Sequence, residues 1–168
     1  MKSGLTIRED NYSVVLDALK QLSGTDVLVG IPAGPPRDDA PLSNAELGYL
    51  QSTGATVEID GETVTLPPRP FLDMGIEDSR DKTTERLKLA AQSALEGKAD
   101  VASMHLEAAG QIARDASKAV IEARDRLTPL SEKTIKKRRE MKPPIPGDKP
   151  LRARGFLFRA IQYVVRKK

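Results

Sequence analysis

Residues 67–72 read Pro-Pro-Arg-Pro-Phe-Leu. Proline fixes φ and lacks an N–H, so three prolines in four positions exclude both a strand interior and a helix interior. The stretch has to be a stiff, extended connector. It divides the chain into a part that ends in strands and a part that begins with a helix near Phe71.

Upstream of the connector, the strongest local signal is Ala55-Thr56-Val57-Glu58-Ile59, then Asp60-Gly61, then Glu62-Thr63-Val64-Thr65-Leu66. An Asp-Gly pair between two alternating runs predicts a tight β-hairpin. Val57, Ile59, Val64 and Leu66 suit its apolar face. Glu58, Asp60 and Glu62 suit its wet face. Ser43-Asn44-Ala45-Glu46 has capping-box spacing and predicts a short helix to Gln51, with Leu47 and Leu50 inward. The loop 32–41 holds four prolines and Gly34 and is expected to project from the body. Asp26-Val27-Leu28-Val29-Gly30-Ile31 reads as a buried strand. Before it, Asn11 is placed to cap a helix to Leu22. That helix carries Val14, Val15, Ala18, Leu19 and Leu22 on one face.

Downstream, a helix is expected from Phe71 to about Leu95, with Leu72 and Ile76 in its first turns and Leu87, Ala90, Ala91, Ala94 and Leu95 as its stripe. Gly97 breaks it. A second helix follows from Asp100 to Arg124, with Val101, Met104, Ala108, Ile112, Ala116, Ala119, Val120 and Ala123 inward. Two long helices joined by a glycine turn form an antiparallel pair. Ser131 caps a short basic helix to Arg139. Residues 141–153, rich in proline, are expected to form a second projecting, flexible loop. A helical turn at 155–161 leads to a last strand, Tyr163-Val164-Val165, which could join the hairpin sheet. The fold class is therefore α+β: a small, mainly antiparallel sheet with a hairpin, packed against two long antiparallel helices. With 168 residues and no internal linker, a single domain over 1–168 is expected.

Composition narrows the chemistry. Cysteine is absent, which excludes disulfides, thiol catalysis and Cys-ligated metal. The one histidine, His105, excludes a multi-His metal site and finds no partner for acid–base work in the sequence; a helix-flank position explains it as well. Asp38-Asp39 is two solvated carboxylates in a loop rather than a metal site. Gly30-Ile31-Pro32-Ala33-Gly34 lacks the Lys-Ser/Thr of a phosphate-binding loop. No apolar run is long enough for a membrane span. No enzymatic activity and no cofactor are expected.

The net charge of +3 conceals an asymmetry. Residues 127–168 hold 13 basic and 3 acidic side chains; residues 1–126 hold 14 basic and 21 acidic. A body of −7 therefore carries a terminal segment of +10. Lys136-Lys137-Arg138-Arg139 is its densest run. It has no interleaved aromatics, which argues against a base-stacking platform. A solvated surface, an acidic protein face and duplex backbone all remain open as its counterpart.

Taken in order, the motifs resemble those of a known family. These are Val29-Gly30-Ile31-Pro32, Ala45-Glu46-Leu47-Gly48-Tyr49-Leu50-Gln51 with Gly54, Pro67 through Leu72, Thr128-Pro129-Leu130-Ser131, and Lys149-Pro150-Leu151 through Gly155-Phe156-Leu157 to Val165. The series is similar to that of the neck and tail-completion proteins of long-tailed bacteriophages, and it covers residues 27–165. Arg154-Gly155 stands where such proteins often have Thr-Gly. The resemblance implies a non-enzymatic structural virion protein at the head-proximal end of the tail, helping to join tail to head. It implies a ring of copies, in sixfold number, with tail-tube or terminator proteins and head-connector proteins as partners, and DNA passing through the lumen as a further contact. A terminator or head-closure role is the close variant. A DNA-binding accessory protein using the segment 133–159 is the alternative from another class. The candidate interface residues are Arg69, Phe71, Lys136, Lys137, Arg138, Arg139, Arg152 and Arg154. At the hairpin-to-helix junction, Phe71 is expected to be buried and Arg69 to pair with an acidic neighbour.

Overall fold

A computed structural model describes residues 10–38, 41–59, 61–123 and 125–168, with no side-chain description for Ile59 and Glu62. Among the described residues six helices and four strands follow one another: α1 (Tyr12–Ser23), β1 (Thr25–Gly30), α2 (Asn44–Thr53), β2 (Ala55–Ile59), β3 (Glu62–Leu66), α3 (Phe71–Leu95), α4 (Ala99–Glu122), α5 (Glu132–Glu140), α6 (Phe156–Ala160) and β4 (Gln162–Lys167). The α+β class stands, with α3 and α4 packed together.

The sheet differs from expectation. Among the described residues there are two separate two-stranded antiparallel sheets, β1–β4 and β2–β3. The last strand joins β1, not the hairpin. Lys168 N donates to Gly24 O at 2.7 Å, and Lys168 Nζ pairs with Asp26 at 3.1 Å, which closes that ribbon. A two-stranded ribbon leaves one face open, so β1 is only half-buried and Leu28 is exposed. The hairpin pairs as its Asp-Gly turn dictates, from Ala55 opposite Leu66 to Ile59 opposite Glu62. Val57, Val64 and Leu66 share its sheltered face, and Glu58 is on the wet one. Asp39 and Asp60 lie outside the described residues.

The helix ends obey local chemistry. Ser43 Oγ accepts from Glu46 N–H, and Glu46 Oε2 accepts from Ser43 N–H at 2.8 Å, a complete capping box. Ser131 Oγ accepts from Thr134 N–H at the start of α5. At α1, Asn11 makes no side-chain cap; Asp10 accepts from Tyr12 N–H instead. Gly97, at φ 73°, closes α3: its N–H reaches Ala94 O while Lys98 N–H reaches Ser93 O.

Two compact units share α3 and α4. One comprises residues 10–28, 81–110 and 164–168. Its core is Ala18, Ala94 and Ala102, flanked by Leu19, Leu22 and Ala99. The other comprises 29–80 and 111–163, apart from the positions left undescribed. Its core is Phe71, Val120, Ile121, Leu127, Leu157 and Ile161. Among the described residues no helix is long and apolar enough to cross a membrane.

The inward face of α4 matches the expected one only in part: Val120 is buried and Ala108, Ile112, Ala116 and Ala123 are half-buried. Ala102, Leu106, Ala109, Ala113, Ser117, Val120 and Ile121 are buried, whereas Val101 and Met104 are exposed. On α3, Ala90 and Ala94 are buried as expected, but Ile76, Leu87 and Leu95 are exposed. The reason is the closeness of the helix pair. A Cβ on Gly75 would lie 2.3 Å from Ser117 Cα, so the backbones nearly touch there. Only small side chains fit such a crossing, and Ile76, next to Gly75, is exposed. The two serines at the crossing satisfy themselves locally: Ser79 Oγ donates to Gly75 O and Ser117 Oγ to Ala113 O.

Two outcomes follow. Gly75→Ala forces the helices apart and lowers stability by about 1–3 kcal/mol, read from denaturant unfolding, whereas Leu87→Ala, on an exposed side chain, changes it by less than about 1 kcal/mol. Stability is also acid-sensitive. The Ser43 backbone N–H, with the Ser43 hydroxyl, holds the Glu46 carboxyl below its ordinary range, and the Arg126 guanidinium does the same for Asp78. Both pKa values are lower in the folded state, so this contribution is complete above the ordinary carboxylate range and lost as pH falls through it, below about 4.3. A Tm series against pH should show the drop, and Glu46→Gln with Asp78→Asn should make it shallower.

Candidate functional site

The proline connector delivers Arg69 into the interior, where it is only 4% exposed. Its Nε donates to Thr128 O at 2.7 Å, Nη2 to Pro129 O at 3.0 Å and Nη1 to Gln51 Oε1 at 3.1 Å. Its own N–H donates to Gln51 O at 2.8 Å. One guanidinium therefore ties the connector to α2 and to the 128–129 turn. The expected acidic partner is replaced by carbonyl and amide oxygens. A planar fork of five donors suits several fixed acceptors better than one carboxylate would. Phe71, two residues on, is fully buried as expected and anchors the first turn of α3 in the core.

The basic run on α5 is split by its helix. Lys136, Lys137 and Arg139 are exposed, but Arg138 is buried. It lies three residues after half-buried Ile135 and so shares that residue's face. Arg138 Nη1 donates to Lys149 O at 3.0 Å, and its carbonyl accepts from Ile145 N–H at 2.9 Å. Arg138 is thus a structural strut for the following loop, not a surface cation. That loop is irregular, as its prolines require, yet Ile145 and Pro150 are buried and pin it down. Burial weakens the hold of both Arg69 and Arg138 on their protons, and for Arg69 the neighbouring Arg138 charge adds to this.

Arg152 is half-buried. It pairs with Glu122, which also receives Lys149 Nζ at 2.9 Å, and its guanidinium lies 4.0 Å from the centre of the Phe158 ring. Arg154 is exposed, and its carbonyl accepts from Arg159 Nη2 at 3.2 Å. Thus Arg69, Phe71 and Arg138 serve the interior, while Lys136, Lys137, Arg139 and Arg154 are on the surface. The sequence reading missed the cations stacked on aromatic rings around α6, where Arg37 and Arg159 meet Phe156 and Arg114 meets Tyr163. The signal was there in the alternation of Arg152, Arg154, Phe156, Phe158 and Arg159.

His105 is half-buried on α4. Among the described residues no group of three or more acidic or histidine side chains is placed to hold a metal ion. Comparison with protein-family models, curated proteins and solved structures finds no match.

The junction makes a sharp prediction. Phe71→Ala should cost about 3–5 kcal/mol in chemical denaturation. Arg69→Lys should still lose about 1–3 kcal/mol, because a single ammonium cannot serve Gln51, Thr128 and Pro129 together.

Proposed function

We propose that this protein is a structural component of a tailed-bacteriophage virion, a neck or tail-completion protein that assembles as a ring at the head-proximal end of the tail and helps join tail to head. The observation that carries the reading is an inversion of size. In the unit around Ala18, Ala94 and Ala102, the core is almost all alanine, while Leu87, Leu95, Val101 and Met104 are exposed, Met104 by 69%. An apolar face of this kind is stabilised when a neighbouring subunit covers it. The order of motifs from Val29 to Val165 supports the family, and the opposite charges of the body and the terminal segment suit a heterologous contact that closes by rotation.

On this reading the partners are further copies of the chain, then tail-tube or terminator proteins and head-connector proteins. Its location is the virion, and no catalysis or cofactor is involved. Because α3 and α4 each run through both compact units, we take the chain to fold as one domain.

Light scattering and negative-stain microscopy of the purified protein test this. The expected species at high concentration is a closed ring, with six copies. Met104→Glu should dissociate it while leaving the Tm of the subunit within a few degrees. A protein that stays monomeric at every concentration and does not incorporate into tails would contradict the proposal.

A further inference from the structure

Residues 32–36 read Pro-Ala-Gly-Pro-Pro, and all are exposed. No helix, strand or turn forms across 31–37. Among the described residues, none hydrogen-bonds to the backbone of 32–36, and a Cβ on Gly34 would meet nothing within 4 Å. The segment is nevertheless tied down at both ends. Before it, half-buried Ile31 packs against the core that contains Phe71 and Leu157, and it reaches over Gly48 on α2, where a Cβ would lie 2.6 Å from Ile31 Cδ1. After it, Arg37 N–H donates to Leu42 O at 3.2 Å, and the Arg37 guanidinium lies 4.7 Å from the centre of the Phe156 ring. All of these contacts fall within one compact unit.

We propose that residues 32–36 are a polyproline II ligand for the aromatic-lined groove of another protein. The sequence sets the conformation. Pro32, Pro35 and Pro36 have φ fixed at about −65°. The residue before a proline is held extended, which restricts Ile31, Gly34 and Pro35 as well. Only Ala33 is left unconstrained. A polyproline II helix has about three residues per turn, so Pro32 and Pro35 share one edge. That Pro-x-x-Pro edge is what grooves lined with aromatic side chains take up. Because the anchors at Ile31 and Arg37 have already ordered the segment, docking loses little further entropy. The groove is not on a second copy of this chain. Of its six aromatic side chains, Phe71 is buried, and Phe156, Phe158 and Tyr163 have cations over their rings. That leaves Tyr12 and Tyr49, on separate helices, and single tyrosines do not line a groove. The inference holds whether the chain is a monomer or a ring.

Heteronuclear NMR of the isotope-labelled full chain, titrated with an SH3 domain and separately with a WW domain, tests the proposal. At least one of these two probes should give saturable shifts at the amides of Ile31, Ala33, Gly34 and Arg37, with few elsewhere. Pro32→Ala/Pro35→Ala should weaken that binding about tenfold or more and leave the Tm unchanged, because both side chains are exposed. Pro36→Ala, one residue off that edge, should lose clearly less. No saturable shift with either probe would overturn the proposal. So would shifts centred outside 31–37, or an equal loss from Pro36→Ala. Shifts of the same amides on concentrating the chain alone would make a second copy the occupant, and would overturn it too.

Discussion

A single buried guanidinium holds the hairpin-to-helix junction together. The Arg69 guanidinium donates to Gln51 Oε1 on α2 and to two carbonyls of the 128–129 turn, and the Arg69 backbone N–H donates to Gln51 O. The prolines on either side leave the connector with few backbone donors, so it has little else with which to bond. Burying an arginine is costly unless its donors are satisfied, and here rigid, preformed acceptors meet it. Because Arg69 is fixed, Phe71 enters the core at a set angle. The first turn of α3 then aligns Gly75 against Ser117.

That alignment decides which residues can be core. Where helices approach until Gly75 meets the backbone of Ser117, bulk is excluded, and alanine and serine line the seam. Ile76, Leu87 and Leu95 of α3 and Val101 and Met104 of α4 are exposed, while Leu106, Val120 and Ile121 of α4 are buried. The core around Phe71, Ile121 and Ile161 is built of large side chains, whereas that around Ala18, Ala94 and Ala102 is built of small ones and leaves Leu87, Leu95, Val101 and Met104 exposed. In the proposed ring, the exposed Leu87, Leu95, Val101 and Met104 would be covered by a neighbouring copy.

Much of this was legible in the sequence. The hairpin, the capping box, the Gly97 break and the start of α3 at Phe71 all follow from local rules, and all are present. The phase of α4 was not legible, because the helix has two apolar faces. Val101 and Met104 sit at helical spacing with buried Val120 in the sequence, yet they are exposed, and Leu106 and Ile121 are buried instead. The pairing of β4 with β1 depends on where the chain returns, which local pattern does not encode. Arg69 and Arg138 stood among surface charges in the sequence, and burial by distant segments gave them interior roles. The aromatic–cation pairs around α6 join residues as far apart as Arg37 and Phe156, so only their C-terminal half was visible as a pattern.

The central claim is that the Arg69 clamp fixes the connector, and native-state hydrogen exchange at the Arg69 amide tests it most directly. That N–H donates to Gln51 O inside the clamp. The account predicts protection close to that of the α3 and α4 interiors, since opening it requires the guanidinium to leave three acceptors at once. Exchange at the rate of an ordinary exposed loop would contradict it.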